Sequence, residues 1–458
     1  MLYAPVAVDE PCPFEGGPDD DRGIGALLDQ KAYRVTFENA DEPCCEPVDV
    51  IIADCRTATP ALGQVIGALE TLRLRHPESI FLILIEPELI WDARLELKRF
   101  GTLCPIGERA DLVIPRLDRL LENLALADEC GERLKTLSSL NRSTVQGNIL
   151  HMSKKAMRVL VSGAPSPVTL RAMKSLAGEA FRVTAAISVP QTIRYLELNI
   201  FDCLVIMPGD KTATYTGLIK MLRRNDRTRN LPILVIPDRA DETTPLVSTR
   251  FMAQGADTIL HAPDTEKALT AEVTAFSRRS RLTSSMKSFL RKAASCDGSG
   301  KDVVADLPFF EHHLERLCAR AADTGKPLCL SAFKLNYRSG SKVSHTAFTQ
   351  ALKYAQMIIR DTDLMTAVRD DIFLVAQPGL THGEASRRQQ NIAEVLQEIV
   401  LDDHPSAKAD HVMVETSTVR LDTGETAEQL IARCFREFRP ITVKTPVAAP
   451  RPQLKVVR

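Results

Sequence analysis

Between residues 156 and 282, short β-prone runs alternate with stretches of helical period, and that alternation leaves little room for anything but a parallel α/β sheet. The runs are residues 159–161, 181–184, 203–206, 233–236 and 258–260, with helical patterns such as 170–176 and 192–198 between them. Such a count in so short a length predicts a flavodoxin-like, doubly wound domain. Residues 1–126 repeat the plan less cleanly, through 5–8, 34–37, 48–53, 80–85 and 112–114. The third runs of the two segments, 48–54 and 201–207, align residue for residue, so the simplest origin is a tandem duplication.

The remaining chain divides by composition. Residues 127–155 read as a helical linker, 283–301 as a second linker ending in the flexible run 295–301, 302–439 as a third domain, and 440–458 as a Pro- and Val-rich disordered tail. At 458 residues and 44% hydrophobic content the chain can bury several cores. Lys+Arg of 58 against Asp+Glu of 59 leaves a net charge of −1, which provides no field for nucleic acid or an anionic membrane. The 11 cysteines are scattered, with no Cys-x-x-Cys, as expected of reduced thiols rather than a metal or disulfide framework. The longest apolar run, 80–85, is too short to span a bilayer, and no export signal opens the chain, so a soluble cytoplasmic protein is expected.

The most specific pattern lies in the third domain. Arg360-Asp361-Thr362-Asp363 ends an amphipathic run and is followed, after the strand-like 364–368, by Arg369-Asp370-Asp371-Ile372-Phe373. An Arg-x-x-Asp by itself is weak, because Arg223-x-x-Asp226 also occurs here and most such pairs are helical ion pairs. The register with the second motif is what distinguishes residues 360–363.

With that register, residues 302–439 resemble the GGDEF domain of diguanylate cyclases, a ferredoxin-like nucleotidyl cyclase fold. The resemblance implies that Arg360 and Asp363 form a site for cyclic di-GMP, the arginine gripping phosphate or a guanine edge and the aspartate accepting from guanine N–H groups. Arg387 and Arg388, on the following helix, are candidates for a further arginine, with a solvated basic turn as the alternative. The family's Gly-Gly-Asp-Glu-Phe is here Arg369, Asp370, Asp371, Ile372 and Phe373. Lys334 stands where the family has a metal-binding aspartate, and His345 where it has a guanine-reading aspartate. Cyclase chemistry needs carboxylates around two metal ions, so the resemblance implies a degenerate domain with no catalytic residues, no metal and no cofactor beyond the ligand.

The two earlier segments resemble receiver domains of two-component response regulators. In the first, Asp54 ends the third strand as a phosphoacceptor candidate, or simply as a loop-capping acid, with Asp9-Glu10 as a possible acidic pair. Ile114, before Pro115, replaces the family's lysine, and Ile85 or Glu86 its hydroxyl residue. In the second, Ser162-Gly163 replaces the acidic pair, Met207 the acceptor and Ala262 the lysine. Degenerate receivers serve as dimerisation or docking surfaces, which implies a homodimer through them. Two receivers followed by a degenerate cyclase domain imply, by kinship with alphaproteobacterial signalling proteins of that layout, a non-catalytic cyclic-di-GMP effector at a cell pole. Such kinship implies proteolytic partners, an RcdA-like factor and the ClpXP protease, in degradation of CtrA. The alternatives are a divergent diguanylate cyclase and a response regulator acting only through protein contacts. Transcriptional control ranks lowest, since no basic recognition helix is evident.

Overall fold

The computed structural model describes residues 2–3, 37–38, 48–55, 62–86, 89, 91–105, 113–142, 155–178, 180–225, 227–237, 244–260, 265–295, 304–337, 342–398 and 412–440. The chain divides into two compact units, Met1–Glu122 with Met152–Thr283, and Asn123–His151 with Ser284–Arg458. Among the described residues no helix is long and apolar enough to cross a membrane.

The first unit holds two parallel sheets. One comprises β1 (Leu2–Tyr3), β2 (Phe37–Glu38), β3 (Val50–Asp54), β4 (Ile80–Ile85) and β5 (Thr102–Pro105), in the order β2-β1-β3-β4-β5. The other comprises β6 (Met157–Gly163), β7 (Phe181–Ala186), β8 (Cys203–Met207), β9 (Ile233–Val235) and β10 (Thr258–Ile259), in the order β10-β9-β8-β6-β7. Both are the second-first-third-fourth-fifth order of flavodoxin-like sheets. Their central strands are apolar on both faces because helices cover both: Ile206 and Leu204 pack in one cluster, and Cys203, Val205 and Met207 in another. The helices α1 (Leu62–Arg75), α2 (Trp91–Lys98), α4 (Pro167–Ser175), α5 (Val189–Leu198), α6 (Thr212–Arg224) and α7 (Thr244–Ala253) fill the crossovers. Ser166 and Ser188 cap α4 and α5, each with a proline in the first turn, where no N–H partner is needed.

The fifth strand of the first sheet corrects the sequence reading. Val113 and Ile114 are not a strand; they open a 27-residue helix, α3 (Val113–Ser139), and the strand is Thr102–Pro105. Val-Ile looks β-prone, but Pro115 falls in the first helical turn and suits a helix start. The residue before the proline that closes the fifth strand is therefore Cys104, not Ile114. The expected strand 5–8, the acidic pair Asp9-Glu10, Ala262 and the tail beyond 440 lie outside the described residues.

The second unit is one six-stranded sheet, β11 (Val304–Ala305), β12 (Leu328–Tyr337), β13 (Leu364–Arg369), β14 (Ile372–Pro378), β15 (Val412–Arg420) and β16 (Arg439–Pro440), in the order β11-β13-β14-β12-β15-β16. All pairings are antiparallel except β11 with β13. Side chains of α9 (Leu307–Thr324) and α12 (Ala427–Arg436) cluster with Leu328, Leu330 and Leu374 on one face, while α10 (His345–Ile358) and α11 (His382–Glu398) pack on Phe333, Leu335 and Val375 on the other. Asp306 caps α9 by accepting from Phe309 N at 2.9 Å, and Gly325, at φ 70°, ends that helix in the left-handed region open to glycine. The α9 cluster also takes in Leu126 and Leu137 of α3 and Phe289, Leu290 and Ala293 of α8 (Thr265–Ala294). The second halves of these two helices thus belong to the core of this unit.

Candidate functional site

The turn carrying Arg360 is built by a helix that stops. Ile359 closes α10 in extended backbone, so the chain leaves the helix and turns back, with Asp363 N donating to Arg360 O at 3.0 Å before β13 begins. Asp363 accepts from Arg360 three times: Oδ2 from the backbone N at 2.9 Å, Oδ1 from Nε at 2.9 Å and from Nη2 at 2.6 Å. Nη2 also donates to Pro378 O at 2.9 Å. The Asp363 side chain has 0% exposure and that of Arg360 24%. In this geometry the Asp363 carboxylate is turned onto Arg360 and away from solvent. Nη1 takes part in none of these bonds, and it is the edge on which an anionic oxygen can add.

The floor of the turn is a second arginine that sequence reasoning missed. Arg133 of α3 is fully buried; its Nη2 donates to Asp363 O at 2.9 Å and Thr362 O at 3.4 Å, its Nη1 to Leu290 O at 2.7 Å, and its Nε to Glu129 Oε1 at 2.7 Å. Glu129 also meets His313 Nε2 at 3.0 Å, and His313 Nδ1 meets Thr136 Oγ1 at 2.9 Å. Burial alone raises the Glu129 pKa, but His313 and the Arg133 guanidinium outweigh it and hold the carboxyl at about 2. The signal was present in the sequence: Glu129, Arg133 and Thr136 share a helical face with Leu126 and Leu137. On the exposed side, Asp361 pairs with Lys287 Nζ at 3.2 Å and Arg291 Nη2 at 3.1 Å, both on α8.

Arg387 and Arg388 sit in the early turns of α11, the first exposed and the second half-buried. Arg387 Nε donates to Gly383 O at 3.3 Å. Glu384 connects this helix to the turn: the Thr381 hydroxyl, then the Thr381 amide, and then the Arg360 and Arg387 charges hold its carboxyl below the ordinary glutamate range against a smaller burial effect.

At the far end of β13, Asp370 and Asp371 form the two-residue tip of a hairpin in which Arg369 pairs with Ile372, after a register shift between Ala367 and Arg369. Arg369 and Asp370 are exposed, and Asp370 meets His345 at 3.6 Å with both side chains more than 80% exposed. Ile372 lies directly across from Lys334 in the β12–β14 ladder. The Lys334 ammonium is taken by Glu415 at 3.1 Å, and Asn336 Nδ2 reaches the same carboxylate at 3.2 Å. Phe373 is core, fully buried and stacked on Phe333 at 4.6 Å. No group of three or more His, Cys, Asp or Glu side chains placed to hold a metal ion occurs among the described residues.

In the first unit Asp54 ends β3, 9% exposed, and its charge adds to burial in pushing the neighbouring Cys55 thiol up to about 12. At the corresponding edge of the second sheet, Ser162 is buried against Thr192 Oγ1 at 2.5 Å, and a Cβ on Gly163 would lie 2.5 Å from Met207 O. Arg223, the decoy motif, bonds Asp257 Oδ2 at 2.8 Å, and Asp257 also pairs with Arg119. Asp226 lies outside the described residues.

No family model and no curated relative matches this chain. Solved structures similar to it include the GGDEF domain of DgcB from Caulobacter crescentus in complex with c-di-GMP, at 14% identity over 29% of this chain and 80% of that one, TM-score 0.26. The GGDEF domain of TpbB (YfiN) from Pseudomonas aeruginosa matches at 19% identity over 29% and 81%, TM-score 0.26. That of FimX from Pseudomonas aeruginosa matches at 14% identity over 30% and 86%, TM-score 0.25. Scores this low leave the assignment to the residues themselves.

Proposed function

We propose that the protein is a non-catalytic effector that binds cyclic di-GMP through Arg360, with Asp363 as its orienting partner, and passes occupancy on to other proteins. The observation that supports it is the Arg360 guanidinium, held in place by Asp363 and Pro378 O while one nitrogen carries none of those bonds. A planar fork fixed in this way suits the phosphates and guanine edges of a cyclic dinucleotide. The other half of the reading is the chemistry around the hairpin. Where a cyclase would place metal-binding carboxylates, this chain has Lys334, ion-paired with Glu415, and the apolar Ile372. A cationic side chain opposes divalent metal binding, and without metal the 3′-hydroxyl of GTP is not activated.

In finer detail, the protein resembles PopA, the non-enzymatic relative of the cyclase PleD. On that reading the two flavodoxin-like sheets are degenerate receivers that serve as protein-docking and dimerisation surfaces, with Asp54 at the phosphoacceptor place of the first. The downstream role is then that of a pole-localised adaptor for ClpXP proteolysis of CtrA with an RcdA-like factor. Purified protein should bind cyclic di-GMP and yield no cyclic product from GTP with Mg²⁺ or Mn²⁺. Sustained product formation would replace effector with enzyme.

A further inference from the structure

We propose that Arg133 of α3 is a positioning residue of the Arg360–Asp363 site, so that cyclic-di-GMP binding and the docking of the 123–139 segment reinforce each other. The ligand named here rests on the reading above; the geometry does not. Asp363 stands between two guanidinia. Its carbonyl accepts from Arg133 Nη2 at 2.9 Å, and its carboxylate accepts from Arg360 Nε and Nη2 at 2.9 and 2.6 Å.

Each contact on the buried side removes a freedom. The bond from Arg133 Nε to Glu129 sets the plane of the guanidinium, and the bond from Nη1 to Leu290 O sets its height against α8. With the plane and height set, Nη2 dictates where the carbonyls of Thr362 and Asp363 must lie. Arg133 is fully buried where it meets those carbonyls, and withdrawing α3 would remove their donor. The turn would then lose the peptide orientation that points the Asp363 carboxylate at Arg360. By linkage, a ligand that prefers the aimed guanidinium must favour docked α3 to the same degree.

The test uses the full chain and three proteins: wild type, Arg133→Lys and Leu137→Ala. Lysine keeps the charge but cannot span Glu129, Leu290 O and the turn carbonyls together. Leu137 is a buried core residue of the same helix, and its truncation destabilises by a cavity rather than through the turn. Calorimetry with cyclic di-GMP should show Arg133→Lys weakened by about tenfold or more, within the usual range of coupling, and Leu137→Ala within about twofold of wild type. Hydrogen exchange without ligand should show the amides of residues 360–363 exchanging faster in Arg133→Lys than in Leu137→Ala. Ligand should slow exchange across residues 123–139 of the wild type.

Unchanged affinity in Arg133→Lys, or losses in both variants that merely follow their lost thermal stability, would overturn the proposal while leaving the effector reading intact. If the wild type binds no cyclic di-GMP, the effector reading fails, and turn exchange alone decides the role of Arg133: equal exchange in the two variants overturns it. Should Arg133→Lys not fold, Glu129→Gln, which loosens the guanidinium plane without removing it, takes its place with a smaller expected loss in the same direction.

Discussion

The two ends of β13 have opposite character. At its start, the Arg360–Asp363 turn is tied down: the carboxylate by Arg360, the carbonyls of Thr362 and Asp363 by buried Arg133, and Asp361 by two α8 cations. At its end, Arg369 and the tip residue Asp370 are exposed, and the contact of Asp370 with His345 is exposed on both sides. Side chains that must present a fixed geometry need a supporting shell, and one end of the strand has it while the other does not. Nor can the hairpin's five signature positions be treated as a unit, since Phe373 belongs to the core and Arg369 to the solvent.

That contrast sets the order of expected effects. Phe373→Ala should cost about 3–5 kcal/mol of stability in chemical denaturation, because it empties a stacked and fully buried position. A loss under about 1 kcal/mol would mean that the hairpin packs otherwise than described here. Acid should come next. Glu129 has its folded pKa lowered to about 2 from an ordinary 4.5, so its contribution is fully present above about 4.5 and is lost as pH falls toward 2. Denaturation followed from pH 6 to pH 2 should show that decline in the wild type and a shallower one in Glu129→Gln. Lys334→Ala should change stability by no more than about 1 kcal/mol, since its pair with Glu415 is roughly a third exposed on both sides. Asp370→Ala should leave stability and ligand binding unmoved within error, and any larger effect would show that the tip has a partner.

Much of this was legible in the sequence because periodicity and apolar runs report buried sheets directly. All five strands of residues 156–282 lie where the pattern placed them, and the pairing of Arg360 with Asp363 follows from their spacing across a helix end. The fifth strand of the first sheet was misplaced because Thr-Leu-Cys-Pro is short and carries a proline, whereas Val113-Ile114 is β-prone yet opens a helix. Arg133 escaped notice for a different reason. Its partners are backbone carbonyls about 157 and 230 positions away, and no local pattern names a carbonyl as the target of a guanidinium. The polar residues on the apolar stripe of α3 were the available hint. The burial of the Asp363 carboxylate was likewise hidden, because spacing shows that two side chains meet and not which of them faces solvent.

The most direct measurement compares the two ends of the strand with one ligand. Calorimetry of cyclic di-GMP binding to wild type, Arg360→Ala and Asp371→Ala should show binding in the first, loss by about a hundredfold or more in the second as a charge-assisted fork is removed, and near-wild-type affinity in the third. Binding that survives in Arg360→Ala but disappears in Asp371→Ala would place the ligand at the hairpin and contradict the account.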